Sequence, residues 1–322
     1  MPAFESIVVV TRRTDLEELI QRFNTRANAR FYLEQQAAAL NQNSPGRNFN
    51  EYAAAHEAYH EALVRLKRAL PEGARVHFIE RNALPTYQFD ERELVVILGP
   101  DGLVVNTAKY LSEQVILAFN PDPARIDGVL LPFTIACVED ILPRILKGGS
   151  PTRSVSMAQA CLNDGQVLLA VNDLFIGART HVSARYQIVW GSRAENQSSS
   201  GIIVSTGAGS TGWFQSIVNG SCSVAAGISN SPLTRPDPSE YRLDWSDERL
   251  YFAVREPFVS RTSRADLAFG LLEAGQELVL SSHMPEGGVV FSDGIENDAL
   301  AFNSGSVASI RLASRKVRLA VP

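Results

Sequence analysis

Over the first 150 positions apolar residues recur with two different periods. Short, wholly apolar runs at Ile7 to Val10, Val76 to Ile79, Leu94 to Leu98 and Val115 to Phe119 read as buried strands. Between them lie stretches with helical spacing. Leu16, Leu19, Ile20 and Phe23 form one stripe, behind an N-cap at Thr14 or Asp15. Tyr52, Tyr59, Leu63, Leu66 and Leu70 form another, on a helix from about Asn50 to Leu70. A polar break, Asn41 to Gly46, separates the two. Helices alternating with fully apolar strands predict a parallel sheet covered on both faces.

The pattern changes near Lys147-Gly148-Gly149-Ser150. Ala158 to Cys161 and Val167 to Val171 flank Asn163-Asp164-Gly165, a hairpin signal. Further strands are expected at Tyr186 to Trp190, Gly201 to Ser205, Leu250 to Val254, Glu277 to Leu280, Val289 to Phe291 and Ser309 to Leu312. Helical spacing is scarce, and Ser229 to Ser239, with its prolines, reads as a long loop. The expected architecture is an α/β N-terminal domain with a parallel sheet (1–147) plus a mostly β C-terminal domain (148–322), the last segment returning to the first domain.

A length of 322 residues suits two domains, and 45% hydrophobic content supplies a sizeable core. The net charge of −5 gives no bulk reason to bind nucleic acid or an anionic membrane, so neither is expected as a partner. No run approaches the ~18 apolar residues of a membrane span. Cys137, Cys161 and Cys222 are odd in number and scattered, which points to a reducing compartment, and a cytoplasmic location is expected.

Three motifs carry candidate chemistry. Gly99-Pro100-Asp101-Gly102 follows the strand Leu94 to Leu98. There a glycine turn lets a ligand approach the backbone, and an aspartate could take a proton from an attacking hydroxyl. On those four residues alone an ordinary Pro-Asp-Gly turn is the favoured reading. The second motif, Gly201 to Trp213, runs from a strand into a glycine- and hydroxyl-rich loop and then a short helix with Trp213, Phe214, Ile217 and Val218 on its apolar side. It offers N–H groups and hydroxyls to an anion or nucleotide. Gly207, Gly209 and Gly212 match G-x-G-x-x-G, but a proline-rich loop follows where a dinucleotide unit needs a second strand ending in an acid. The third is His56-Glu57-Ala58-Tyr59-His60, an H-E-x-x-H on a helix, with Glu80 at the distance of a third ligand. The helix needs its apolar stripe for packing, which favours edge-packed histidines, and no metal ligand or structural zinc is expected.

The ordered set of motifs resembles the NAD kinase family, most closely its mitochondrial-type branch. Gly99 to Gly102 is similar to the family's G-G-D-G. Asn120-Pro121-Asp122-Pro123-Ala124-Arg125-Ile126-Asp127-Gly128 resembles N-T-D-P-x-R-S-x-G. Asn172 to Gly177 resembles N-E-V-F-I-G, Ser199 to Trp213 the S-S-G…S-T-G-T-G-S-x-A-W block, and Arg255-Glu256-Pro257 and Asp293-Gly294 the family's R-E-P and late D-G. The likeness spans about residues 5 to 320. Pro100 and Leu103 depart from the pattern, standing where glycine and threonine are usual, and Gly212 stands in place of alanine.

The resemblance implies an α/β domain and a β-rich domain with NAD bound between them, and a homodimer or higher homo-oligomer. It implies phosphorylation of the adenosine-ribose 2′-hydroxyl of NAD(H), from ATP or a related donor with a divalent ion such as Mg²⁺. Carried over, Asp101 is the general base, and Gly99 and Gly102 admit phosphates. Asn172 and Asp173 hydrogen-bond the adenosine. Thr206, Gly209, Ser210, Thr211, Gly212 and Ser216 line the substrate site, and Asp293 reaches toward it. Two other readings of the scaffold are a kinase of another nucleotide or sugar and a non-catalytic NAD(P)-binding sensor. Because these ligands are anions and the chain is acidic, backbone N–H groups, a metal ion and local arginines must supply the attraction.

Overall fold

The computed structural model describes residues 4–39, 48–229 and 234–322. The polar break at Asn41 to Gly46, and Pro232 of the expected loop, lie outside the described residues. The chain forms two compact units, Met1–Arg153 with Arg318–Pro322, and Ser154–Val317.

The first unit runs β1 (Ser6–Thr11), α1 (Asp15–Phe23), α2 (Arg26–Ala39), α3 (Phe49–Ala69), β2 (Val76–Glu80), β3 (Glu93–Leu98), α4 (Asp101–Ala108), β4 (Val115–Asn120), β5 (Phe133–Thr134) and α5 (Val138–Leu146). The strands are parallel in the order β2-β1-β3-β4. Arg318 and Leu319 add a further parallel pairing to Val115 and Ile116. β1, β3 and β4 are buried almost throughout, as continuous apolar strands must be when both faces are covered. On one face Val9, Val96, Leu117 and Phe119 pack with Tyr59, Ala62 and Leu66 of α3 and with Val138, Leu142 and Ile145 of α5. The residues between them, Val8, Val95, Ile97 and Ile116, point the other way and are just as buried, with α4 packed against β3 and β4.

Thr14 is the N-cap of α1, in a capping box with Glu17. The helical stretch expected to follow is two helices. Asn24 adopts a left-handed φ of 65° as C-cap, a conformation that asparagine tolerates, and Thr25 Oγ1 accepts the Asn28 N–H as α2 begins.

The second unit contains β6 (Thr152–Leu162), β7 (Val167–Ala170), β8 (Asp173–Ala178), β9 (Ala184–Trp190), β10 (Arg193–Ser199), β11 (Ile202–Ser205), α6 (Trp213–Ser229), α7 (Pro238–Tyr241), β12 (Leu250–Val254), β13 (Phe269–Leu272), β14 (Leu278–Ser282), β15 (Gly288–Ser292), β16 (Ile295–Ala301) and β17 (Val307–Ala320). One antiparallel sheet has the order β13-β12-β11-β8-β15-β16, and β10, β9, β14 and β17 pair antiparallel in another. Leu174, Ile176, Ile202 and Phe252 of the first share a core with Tyr186, Ile188, Leu280 and Ile310 of the second, as in a sandwich. The hairpin signal is realised by β6 and β7, with Gly165 at φ 89° in the turn, where a side chain would be strained. The helix after the glycine-rich loop is longer than expected, at 17 residues.

Candidate functional site

In the first unit the strand order puts the switch point between β1 and β3, where the connections reverse direction. In open α/β sheets ligands settle in the crevice outside the carboxyl ends of strands at that point. A cleft of about 350 Å³ lies there. It is lined by Arg12 and Thr14 after β1, Pro100 after β3, and Pro121, Asp122 and Arg125 after β4, with Tyr52, His56 and Tyr59 from α3.

Asp101 is the first residue of α4, directly after Pro100, which caps the helix without a side-chain hydrogen bond. A carboxylate at a helix N-terminus gains from the dipole. Its Oδ1 accepts the backbone N–H of Leu130 at 2.5 Å. The 120–131 loop is folded so as to present that donor. Asn120 Oδ1 accepts the Asp122 N–H at 2.9 Å, Asn120 Nδ2 donates to the Ile126 carbonyl at 2.9 Å, and Gly128 turns the chain at φ 70°. A Cβ on Gly128 would lie 2.7 Å from Asn120 Nδ2. Two segments that stand as separate motifs in the sequence are thus one unit around Asp101. Gly102 is exposed, with open space where its side chain would be, so its helix-terminal N–H is approachable. Gly99 carries the chain from β3 against the buried Leu103 side chain, which fills core where a threonine hydroxyl would otherwise sit.

Arg12 is a cleft residue that motif reading passed over, and Arg125 lies in a motif to which no site role was given. The signal for Arg12 was its place just beyond the carboxyl end of the first apolar strand. Neither is a free cation. Arg12 pairs with Asp15, and Arg125 Nη1 lies 2.6 Å from Asp122. Asp15, Asp122 and Glu51 outnumber the two arginines in the lining.

In the second unit, Asn172 and Asp173 lie at the start of β8, beside the loop after β11. The Thr206 N–H donates to the Asn172 carbonyl at 2.9 Å, and Thr206 Oγ1 donates to the Val171 carbonyl at 2.5 Å. Gly209 passes so close that a Cβ would lie 2.2 Å from the Asn172 oxygen, and one on Gly207 would lie 1.9 Å from the Asp244 oxygen. These glycines are required for close approach. Ser210 Oγ donates to the Gly207 carbonyl and accepts the Leu243 N–H. Thr206, Gly209 and Ser210 are therefore buried parts of the loop's frame. Thr211 is half-buried, while Gly212 and Ser216 are exposed at the start of α6. The structure brings Asn172, Asp173, Thr206 and Gly209 together, with Thr211, Gly212 and Ser216 further along the same loop and helix.

Asp293 occupies a two-residue turn with Gly294 between β15 and β16, both at positive φ. Its carboxylate accepts the N–H groups of Val171, Asn172 and Asp173 at 3.1, 2.8 and 3.2 Å. Burial pushes the Asp173 carboxyl up to about 7. A hydrogen bond with Ser205 opposes the shift, and the charge of Asp293 adds to it. Asp173 Oδ1 is buried without a hydrogen-bond partner, an acceptor held ready for a donor that the loop itself does not supply.

The histidines of the H-E-x-x-H segment do meet a carboxylate, but not the expected one. Glu80 is ion-paired with Arg13 at 2.9 Å, and the acid beside His56 and His60 is Glu17 of α1. Glu57 is exposed and lies 4.0 Å from Arg26.

Each unit therefore presents a loop at strand ends of the kind that binds small anionic molecules. A protein named probable NADH kinase from Oryza sativa subsp. japonica is 25% identical to this chain, over 72% of the chain and 73% of its own length. An NAD kinase of Cupriavidus pinatubonensis (strain JMP 134 / LMG 1197) is 26% identical over 49% of this chain and 57% of its own. Yeast NADH kinase, solved in complex with NADH, superposes on the whole chain and 84% of its own with a TM-score of 0.56, at 13% identity. No family profile matches the sequence. The fold, an α/β unit with a parallel sheet followed by an antiparallel β unit, is the NAD kinase fold, and the sequence is similar to those of proteins named NADH kinase and NAD kinase.

Proposed function

We propose that the protein is an NAD kinase-like phosphotransferase, which moves the terminal phosphoryl group of ATP or a related donor onto the adenosine-ribose 2′-hydroxyl of NAD or NADH. The observation that carries the reading is Asp101, a half-buried carboxylate at the carboxyl end of a parallel strand and the N-terminus of a helix, fixed by one N–H on Oδ1. Among the described residues its Oδ2 takes no hydrogen bond. In the proposed step this carboxylate accepts the proton of the 2′-hydroxyl as that oxygen bonds to phosphorus. The bond from phosphorus to the donor's bridging oxygen breaks, and the proton then passes to solvent.

The exposed Gly102 N–H would receive a phosphate oxygen at the helix terminus. A divalent ion carried by the donor would supply neutralisation of phosphate charge. The acidic excess in the cleft suits a phosphate that carries such an ion better than a bare polyanion. In the second unit, Asn172 and Asp173, whose carboxyl burial pushes up to about 7, would hydrogen-bond the adenosine, with the half-buried Thr211 and the exposed Ser216 near it.

An NADP(H)-formation assay over ATP, other nucleotides and polyphosphate, with NAD and NADH as acceptors, tests the reading. Turnover with a sugar or another nucleoside acceptor alone would instead identify the sister-kinase reading. Binding of NAD or NADP by calorimetry, with no turnover from any donor, would identify the sensor.

A further inference from the structure

We infer that Glu17, His56 and His60 form a binding site for a divalent transition metal of the zinc class. Their ligand atoms all lie within 4.8 Å of one another. His56 and His60 stand one helical turn apart on α3 with ring centroids at 4.3 Å, the i,i+4 spacing that lets two imidazoles share an ion. His60 Nε2 and Glu17 Oε1 are 3.0 Å apart. Two atoms each bonded to one ion at about 2.1 Å lie roughly 3.0 to 3.4 Å apart at octahedral to tetrahedral angles, so this pair is already close to ligand spacing.

The surroundings supply the supporting shell that metal-ligating groups need. Thr14 Oγ1 lies 2.8 Å from His56 Nδ1 and 3.2 Å from Glu17 Oε2. A single run of hydrogen bonds satisfies both, with His56 Nδ1–H donating to the hydroxyl and the hydroxyl donating to the carboxylate. That leaves His56 Nε2 and Glu17 Oε1 for an ion. The Thr14 backbone N–H holds Glu17 Oε2 at 2.7 Å, so the carboxylate is anchored by the same capping box that starts α1.

Two imidazoles and one carboxylate select zinc, cobalt, nickel or copper over magnesium or calcium. Side-chain exposures of 43% for His60 and 34% for Glu17 leave water access to a fourth position. Peptidase chemistry does not follow, because Glu57, the base in that motif, faces solvent beside Arg26. An ion here would clip α1 to α3 beside the cleft that His56 and Thr14 line.

The test uses the untagged full chain after chelator treatment. Zinc and cobalt titrations by calorimetry are expected to give one equivalent bound, undiminished by excess magnesium, with a rise of a few degrees in the unfolding midpoint. The cobalt form is expected to show visible d–d absorption without thiolate charge transfer. His56→Gln and His60→Gln should each weaken binding by more than about tenfold, the least that losing even an outer partner costs a metal site. In a purely structural hydrogen-bonded cluster these variants would lower stability, and added metal would not affect the wild-type midpoint. No stoichiometric binding by wild-type protein, thiolate charge transfer, or unchanged affinity in both variants would overturn the assignment. If a variant fails to fold, X-ray absorption of the wild-type zinc form decides. Imidazole and oxygen scattering without sulfur supports the site, and a sulfur shell refutes it.

Discussion

The Asp293 carboxylate accepts the backbone N–H of Asn172 at 2.8 Å, tying a β-turn to a loop 121 residues earlier in the chain. With the N–H groups of Val171 and Asp173 on the same carboxylate, the start of β8 is held by three donors. Asp293→Ala leaves these partly buried donors without an acceptor and puts alanine at φ 57°. It should destabilise by about 1–3 kcal/mol in denaturant titrations and weaken NAD binding. Asp293→Asn, which keeps one acceptor oxygen and tolerates the left-handed conformation, should lose less of both.

Asp173 supplies a pH signature. Its carboxyl titrates near 7 in the folded protein and near 3.9 when unfolded, so the native state holds the extra proton between those values. Stability from this group therefore falls as pH rises from about 4 to about 7 and is level above that. Asp173→Asn should raise the unfolding midpoint most at pH 8, with the gain over wild type shrinking as pH drops toward 5. A gain independent of pH would show that Asp173 is ionised in the fold throughout.

Two glycines separate function from folding. Gly102→Ala adds a Cβ into open space at ordinary backbone angles, so stability should change by less than about 1 kcal/mol. If its N–H meets a phosphate, turnover or donor KM should worsen about tenfold or more. Gly209→Ala drives a Cβ to 2.2 Å from the Asn172 carbonyl and should cost roughly 1–3 kcal/mol of stability. Circular-dichroism melts beside steady-state kinetics distinguish the two.

The apolar strands of the parallel sheet and the Asn-Asp-Gly hairpin were legible because burial on both faces and positive φ leave direct marks on sequence. β10 was not. Its inward residues are Glu195, Gln197 and Ser199, buried in a polar ladder with the Tyr186 hydroxyl and the Leu267 N–H, so its alternation is invisible to a hydrophobic reading. α5 was missed because its first residue closes an apolar run interrupted by Pro132, and Pro143 lies inside it. Asp101 stood out through its strand-end turn. Leu130, whose N–H fixes Asp101, carries no side-chain signal, since its contribution is a backbone donor that folding brings back from 29 positions further along the chain. Glu17 was hidden as an ordinary capping-box acid, and only the packing of α1 on α3 sets it beside the two histidines.

The account rests most directly on Asp101, and the decisive measurement pairs NADP(H) formation with NAD(H) binding in wild type and Asp101→Asn. Wild-type protein should form NADP or NADPH from at least one phosphoryl donor. The variant, which keeps an acceptor for the Leu130 N–H, should bind NAD or NADH with unchanged affinity and lose about 10²- to 10⁴-fold in turnover. Turnover retained in the variant, or absent from wild type with every donor, would contradict the role given to this carboxylate.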